Sequence, residues 1–94
     1  PEIKMNVYRI IQEAFNNINK YANATKIGLI LDTEDDFLYL EINDNGVGFN
    51  EKKVKNGIGL KNMKSRTEAI KGEIYIISEK AKGTLIKLKV PLVN

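Results

Sequence analysis

The chain predicts an α+β domain, a two-layer sandwich in which an antiparallel or mixed sheet carries its helices on one face. Three observations carry this expectation. Apolar residues recur at helical spacing near 3–22 and again near 58–71. Strand-like runs occupy residues 25–32 and 37–43, and then 73–78 and 84–90. The order is therefore helix, two strands, helix, two strands, with no internal repeat and no linker, and 94 residues suffice for one small domain spanning 1–94 but not for two.

Each element has its own local reason. In the first helix Ile3, Val7, Ile10, Ile11, Ala14 and Ile18 fall three or four residues apart and make one apolar stripe. Pro1 suits a helix entry, and Asn23 offers a stop. Ile27, Leu29 and Leu31 alternate with Gly28, Ile30 and Asp32, and the polar run Thr33-Glu34-Asp35-Asp36 reads as the turn of an antiparallel hairpin. Residues 44–57, rich in Gly, Asn and Lys, read as loop. Leu60, Met63, Thr67 and Ile70 line one face of the second helix, with Gly72 as its expected C′ residue. A Lys-Ala-Lys-Gly turn then joins two further strands. The last alternates apolar residues with Lys87 and Lys89, so one of its faces should be wet.

Composition narrows the function classes. No Cys excludes disulfide and thiolate chemistry, and no His excludes a phosphohistidine, a histidine base and an imidazole metal ligand within this chain. A metal would need oxygen ligands, which favours Mg²⁺. No apolar run approaches the roughly 18 residues of a membrane span, and no signal-peptide pattern opens the chain. A start at Pro1 rather than Met points to a piece of a longer protein. The net charge of +3 is mild for nucleic-acid binding, and the few aromatics sit mostly inside apolar patterns. Lys52, Lys53, Lys55, Lys61, Lys64 and Arg66 form a local basic cluster. It suits either a solvated face or a meeting with phosphates or an acidic partner.

Three segments hold residues with chemistry to offer. Glu13, Asn17 and Lys20 share one helical stripe beside the apolar face. Such a row suits a Mg²⁺–polyphosphate: the amide oxygen can ligate a hard cation, the ammonium can pair with phosphate, and the carboxylate can orient or activate a nucleophile. An exposed face with an incidental Glu–Lys pairing has the same spacing. Asp44 ends an apolar strand and begins Asp-Asn-Gly. It can initiate a turn. As an ionised acceptor it can also bind the amino group of adenine, where guanine presents a carbonyl, and so favour ATP over GTP. Gly46 and Gly48 remove side chains where a base could pack against backbone. Gly57 and Gly59 precede a helix, where backbone N–H groups and the helix dipole make an anion site. Neither pair completes a dinucleotide fingerprint, whose third glycine would fall at Glu51 or Asn62, and the Gly-Lys-Ser/Thr pattern is absent.

Taken in order, these segments resemble the ATP-binding domain of the GHKL (Bergerat-fold) superfamily, shared by gyrase, Hsp90, histidine kinases and MutL. The nearest likeness is to sensor histidine kinases with a short nucleotide lid. Arg9-Ile10-Ile11-Gln12-Glu13-Ala14-Phe15-Asn16-Asn17 looks like the family's N box. Asp44-Asn45-Gly46-Val47-Gly48-Phe49 looks like its first glycine box, Gly57-Ile58-Gly59-Leu60-Lys61-Asn62-Met63 like its second, and Lys82-Gly83-Thr84-Leu85-Ile86 like its last. The resemblance covers nearly the whole chain. Three departures stand out: Lys20-Tyr21 replaces the usual Lys-His; the loop from Asn50 to Asn56 is short, with the phenylalanine-containing box of longer-lid kinases not apparent; and the helix begins at once where the family usually has a preceding edge strand, so one sheet edge would be open.

The resemblance implies roles, position by position. Asn17 would ligate Mg²⁺ and Lys20 would contact phosphate. Asp44 would bind the adenine amino group beside Gly46, Val47 and Gly48. Gly57, Ile58, Gly59 and Leu60 would hold the phosphates at a helix start, and Thr84 would lie near the base. Glu13 matches the acid that activates water in hydrolysing relatives and is the candidate catalytic residue. The implied protein is the Mg-ATP-binding catalytic domain of a cytoplasmic sensor histidine kinase, monomeric as a fragment, whose parent could be membrane-anchored. It would pass the γ-phosphoryl to a His on a separate dimerisation domain and thence to a response regulator. A serine kinase of the anti-sigma-factor type, and a nucleotide-binding module without phosphotransfer, are the alternatives the sequence leaves open.

Overall fold

A computed structural model describes residues 2–19, 24–47, 60–79 and 82–92. Helix α1 runs over Glu2–Asn17, strand β1 over Ile27–Glu34 and β2 over Phe37–Asp44. Helix α2 covers Leu60–Ala69, β3 Glu73–Glu79 and β4 Gly83–Pro91. The strands form one four-stranded sheet in the order β1-β2-β4-β3, and every neighbouring pair is antiparallel. Of the two sheet types expected, antiparallel or mixed, the structure takes the first.

The helical stripes do what their spacing implies. Val7, Ile10, Ala14 and Ile18 of the first stripe and Met63, Thr67 and Ile70 of the second are buried. They meet Leu40 and Ile42 of β2 and Ile86, Leu88 and Val90 of β4 in a single core. Alternation along β4 sends Lys87 and Lys89 to the other face. There Lys89 Nζ sits 4.4 Å above the Phe37 ring, and Lys87 Nζ lies 3.9 Å from Glu41 Oε1. The helices do not cover the whole sheet. Ile27, Leu29 and Leu31 share the helix side with Asp44, Ile42 and Leu40, their register partners. They remain exposed and contribute nothing to the core, unlike Ile74 and Ile76 of the other edge strand, β3. Alternation alone does not reveal that.

Three boundaries differ from expectation. The first helix gives way to a π-type turn at Ile18 and Asn19, and the expected stop at Asn23 lies outside the described residues. The hairpin turn is two residues, not four. Asp35 and Asp36 both have positive φ, 51° and 66°, the mirror-image turn whose twist matches that of the flanking strands. The residue at C′ of α2 is Lys71, with φ 60°, rather than Gly72. Gly72 N donates to Thr67 O at 2.9 Å and Lys71 N to Glu68 O at 3.0 Å, the two bonds of a Schellman motif. Gly72 is small for a different reason: a Cβ there would stand 3.0 Å from Lys89 O and from Val90 Cγ2.

Candidate functional site

The sheet register builds the centre of the site. Asp44 is opposite Ile27 on β1 and opposite Thr84 on β4, and Thr84 is opposite Ser78 on β3. One row, Ile27–Asp44–Thr84–Ser78, therefore crosses all four strands on the side of the sheet that carries the helices. Asp44 is 7% exposed, low for a carboxylate. Its Oδ1 accepts a hydrogen bond from Gly46 N at 2.8 Å. Its Oδ2 is buried and has no hydrogen-bond partner among the described residues. Asp44 thus initiates a turn with one oxygen and leaves the other for something else. A buried acceptor without a donor costs about 1–3 kcal/mol, so the arrangement fits a donor supplied by a ligand. An exocyclic amine meets that requirement and a carbonyl does not.

Around Asp44 the backbone is tightly placed. Gly46 is buried, and Val47, 46% exposed, stands at the rim. Gly83 has φ 94°, and a Cβ on it would run into the Asp44 carbonyl oxygen. The hydroxyls of Ser78 and Thr84 lie 2.9 Å apart, and Ser78 Oγ donates to Gly83 O at 3.4 Å. The Asn45 side chain reaches back to the entry of β1, where Oδ1 accepts from Thr25 N at 3.0 Å and Lys26 N at 2.9 Å. Sequence reasoning placed Asn45 and Gly83 inside motifs but assigned neither a role, and it passed over Ser78. The available signal for Asn45 was its residue type, since Asn beside a turn bonds nearby backbone.

Helix α1 presents Glu13 and Asn17, both half-buried, on the stripe beside the core. Lys20, Gly48, Gly57, Ile58 and Gly59 lie outside the described residues, and Leu60 opens α2. Among the described residues no three acidic, His or Cys side chains are grouped to hold a metal. A cation near Asn17 would draw most of its oxygens from elsewhere, as Mg²⁺ does when it binds phosphates and water. A depression of about 550 Å³ adjoins Asp44 and Thr84, but its other lining residues include Glu41, Asn43, Ile77 and Leu85. These belong to the helix-free face, opposite the side on which Asp44 and Thr84 stand in the register.

Residues 2–94 match the family described as histidine kinase-, DNA gyrase B- and HSP90-like ATPase. This chain belongs to that ATPase family. The ATPase domain is 42% identical over 91 residues to the sensor protein VraS of Staphylococcus aureus, covering 96% of the chain and 26% of that relative. It is 41% identical to VraS of Staphylococcus haemolyticus over the same length. The chain thus spans about a quarter of the length of the curated relatives it matches. Solved structures share its fold. The histidine kinase domain of the Erythrobacter litoralis EL346 blue-light activated histidine kinase superposes with a TM-score of 0.83 at 16% identity, over 97% of this chain and 45% of that one. The Acinetobacter baumannii histidine kinase AdeS does so with a TM-score of 0.79 at 20% identity, over 96% and 47%. The two-layer α+β expectation and the superfamily resemblance both hold for this ATPase domain. No helix among its described residues is long and apolar enough to cross a membrane.

Proposed function

We propose that residues 1–94 are the Mg-ATP-binding catalytic domain of a cytoplasmic sensor histidine kinase, which supplies the γ-phosphoryl to a His on a separate dimerisation domain of the same parent. The observation that carries the reading is the Asp44 carboxylate: buried, one oxygen engaged by Gly46 N, the other without a partner among the described residues. Asp44 receives the adenine amino group, and Thr84, its cross-strand partner, stands next to the base. Asn17 offers its amide oxygen to Mg²⁺, and Glu13 supports the reacting end from the preceding helical turn. Lys20, with Gly57, Ile58, Gly59 and the start of α2 at Leu60, holds the phosphates, while Gly46, Val47 and Gly48 border the base. Catalysis by such a domain is chiefly positioning and charge neutralisation. The chain has no His, so the phosphoacceptor lies elsewhere in the parent, and the phosphoryl group then passes to a response regulator. The likeness to relatives named sensor proteins favours this over a free-standing serine kinase. The isolated domain is a monomer and does not bind nucleic acid.

The test is calorimetric titration of ATP and GTP, with and without Mg²⁺, into the protein and into Asp44→Asn. A hydrogen bond to a charged group is worth about 1.5–3 kcal/mol, so the variant should lose about 10- to 150-fold in ATP affinity. It presents an amide that can turn a donor toward the base, so its preference for ATP over GTP should shrink. Retention of both affinity and preference in a folded Asp44→Asn protein would remove Asp44 from the base site and defeat the reading.

A further inference from the structure

We propose that Asn45 is the positioning residue that sets base selectivity, by locking the Asp44 carboxylate into the orientation that leaves Oδ2 open. The inference rests on the reading that Asp44 meets the adenine amino group. The β1–β2 ladder ends at the Ile27–Asp44 pair. Immediately beyond it the Asn45 side chain takes over the pairing. Its Oδ1 accepts from Thr25 N at 3.0 Å and from Lys26 N at 2.9 Å, and its Nδ2 donates to Thr25 Oγ1 at 2.9 Å. The Asn45 backbone N donates to Lys26 O at 3.2 Å. Four hydrogen bonds thus tie this one residue to the two residues that lead into β1, in a ring that involves both sides of its amide.

The position of this ring matters. Asn45 is the link between Asp44, which holds the carboxylate, and Gly46, whose N–H occupies Oδ1 at 2.8 Å. With Asn45 anchored at the entry of β1, the peptide planes on either side of it have little freedom. Gly46 N stays against Oδ1, and Oδ2 is the oxygen left over. Without the anchor, Asp-Asn-Gly is an ordinary flexible turn in which the two oxygens exchange and the carboxylate can swing. On the other strand of the site, Gly83 backbone fits against the Asp44 carbonyl so closely that no Cβ is tolerated. Asp44 is therefore held from two sides: by the fit of the Gly83 backbone at the start of β4, and by the tie of Asn45 to the segment that leads into β1. Asn45 itself is exposed, so its bonds are not needed to satisfy a buried group. Their effect is on geometry.

The test separates adenine from hypoxanthine, using ATP and inosine triphosphate, which carry the same phosphates and differ in amine against carbonyl at C6 and, with it, in a bare against a protonated N1. The ratio of their affinities reads recognition of the C6–N1 edge of the base, the edge that Asp44 meets, with the phosphate contacts cancelled. The wild-type protein should prefer ATP by about tenfold or more. Asn45→Ala should bring that preference below about threefold, through weaker ATP binding with inosine triphosphate affinity held within about twofold. Asn45→Asp keeps the acceptor for Thr25 N and Lys26 N and can accept from the Thr25 hydroxyl, so it should restore the preference. An Asn45→Ala protein that keeps the wild-type ratio, or that loses both nucleotides equally, would falsify the positioning role and leave Asn45 a simple structural tie. A wild-type protein with no preference between the two nucleotides would instead overturn the Asp44 reading and this inference with it. Thermal melts of each variant, run alongside, show whether a lost affinity is a lost fold.

Discussion

Replacing Gly83 by Ala should damage this protein more than the same change at Gly72. Two costs combine. Gly83 has φ 94°, where an L-residue is strained by about 1–3 kcal/mol. The new Cβ would also collide with the Asp44 carbonyl oxygen and press on the Asn45 Cα, backbone atoms that cannot rotate aside. Forcing extra volume into a packed place costs about 1–3 kcal/mol more. Together these come to about 2–6 kcal/mol, against a total stability of about 5–15 kcal/mol for a domain of this kind. In a chain of this length each kcal/mol moves the melting temperature by about 4–8 °C, so Tm should fall by at least about 8 °C. Gly72→Ala is the internal control. Its φ is not positive, and its Cβ would meet Lys89 O at 3.0 Å, Val90 Cγ2 at 3.0 Å and Thr67 Cγ2 at 3.2 Å, tight contacts relieved by shifts of a few tenths of an ångström rather than a collision. The assay is thermal and urea unfolding of both variants, followed by ATP titration of whatever remains folded. Because the collision displaces the residue that holds the carboxylate, surviving Gly83→Ala protein should also bind ATP more weakly. A Gly83→Ala protein no less stable than Gly72→Ala would refute the reasoning.

Three further outcomes are expected. Lys71→Gly should stabilise the protein by about 1 kcal/mol, because Lys71 holds a left-handed conformation at the end of α2 that suits glycine; chemical denaturation reads this directly. Asp36→Gly should also stabilise, by up to about 1 kcal/mol, since Asp-Gly is preferred over Asp-Asp in a two-residue mirror-image turn; a lower urea midpoint would contradict it. Asn17→Ala should lower ATP affinity by about tenfold or more when Mg²⁺ is present and little when it is absent, while the circular dichroism spectrum stays that of the parent; loss of equal size in both conditions would rule out a role at the cation.

The periodic parts of this molecule were legible. Ile86, Leu88 and Val90 face the core and Lys87 and Lys89 do not, as their alternation implies, because side-chain direction along a strand is a local property. The helical stripes through Ile10 and Met63 were legible for the same reason. What was hidden depends on partners distant in sequence. Nothing near Leu29 or Leu31 says that two helices stop short of β1. Nothing near Gly72 shows that β4 packs against it and that Lys71, one residue earlier, takes the left-handed turn. In the candidate site, Asp44 and Thr84 were named from local motifs and the register puts them in one row. The Asn45 tie to Thr25 and the fit of Gly83 against Asp44 are contacts between segments, and only the folded chain discloses them.

The strand order has a consequence for how the site comes into being. The last strand of the sheet in sequence, β4, is inserted between β2 and β3 and pairs with both. Until it does so, β2 and β3 have no common neighbour, and Asp44 has neither the Thr84 partner nor the Gly83 backbone against which it is set. A growing chain that has made everything up to β3 therefore holds a hairpin and two helices but no completed row across the sheet. Closing the sheet demands a long-range pairing whose loop entropy is spent before its contacts are gained, which tends to make folding slow. Assembly of the fold and assembly of the site are consequently one event, completed by the same strand.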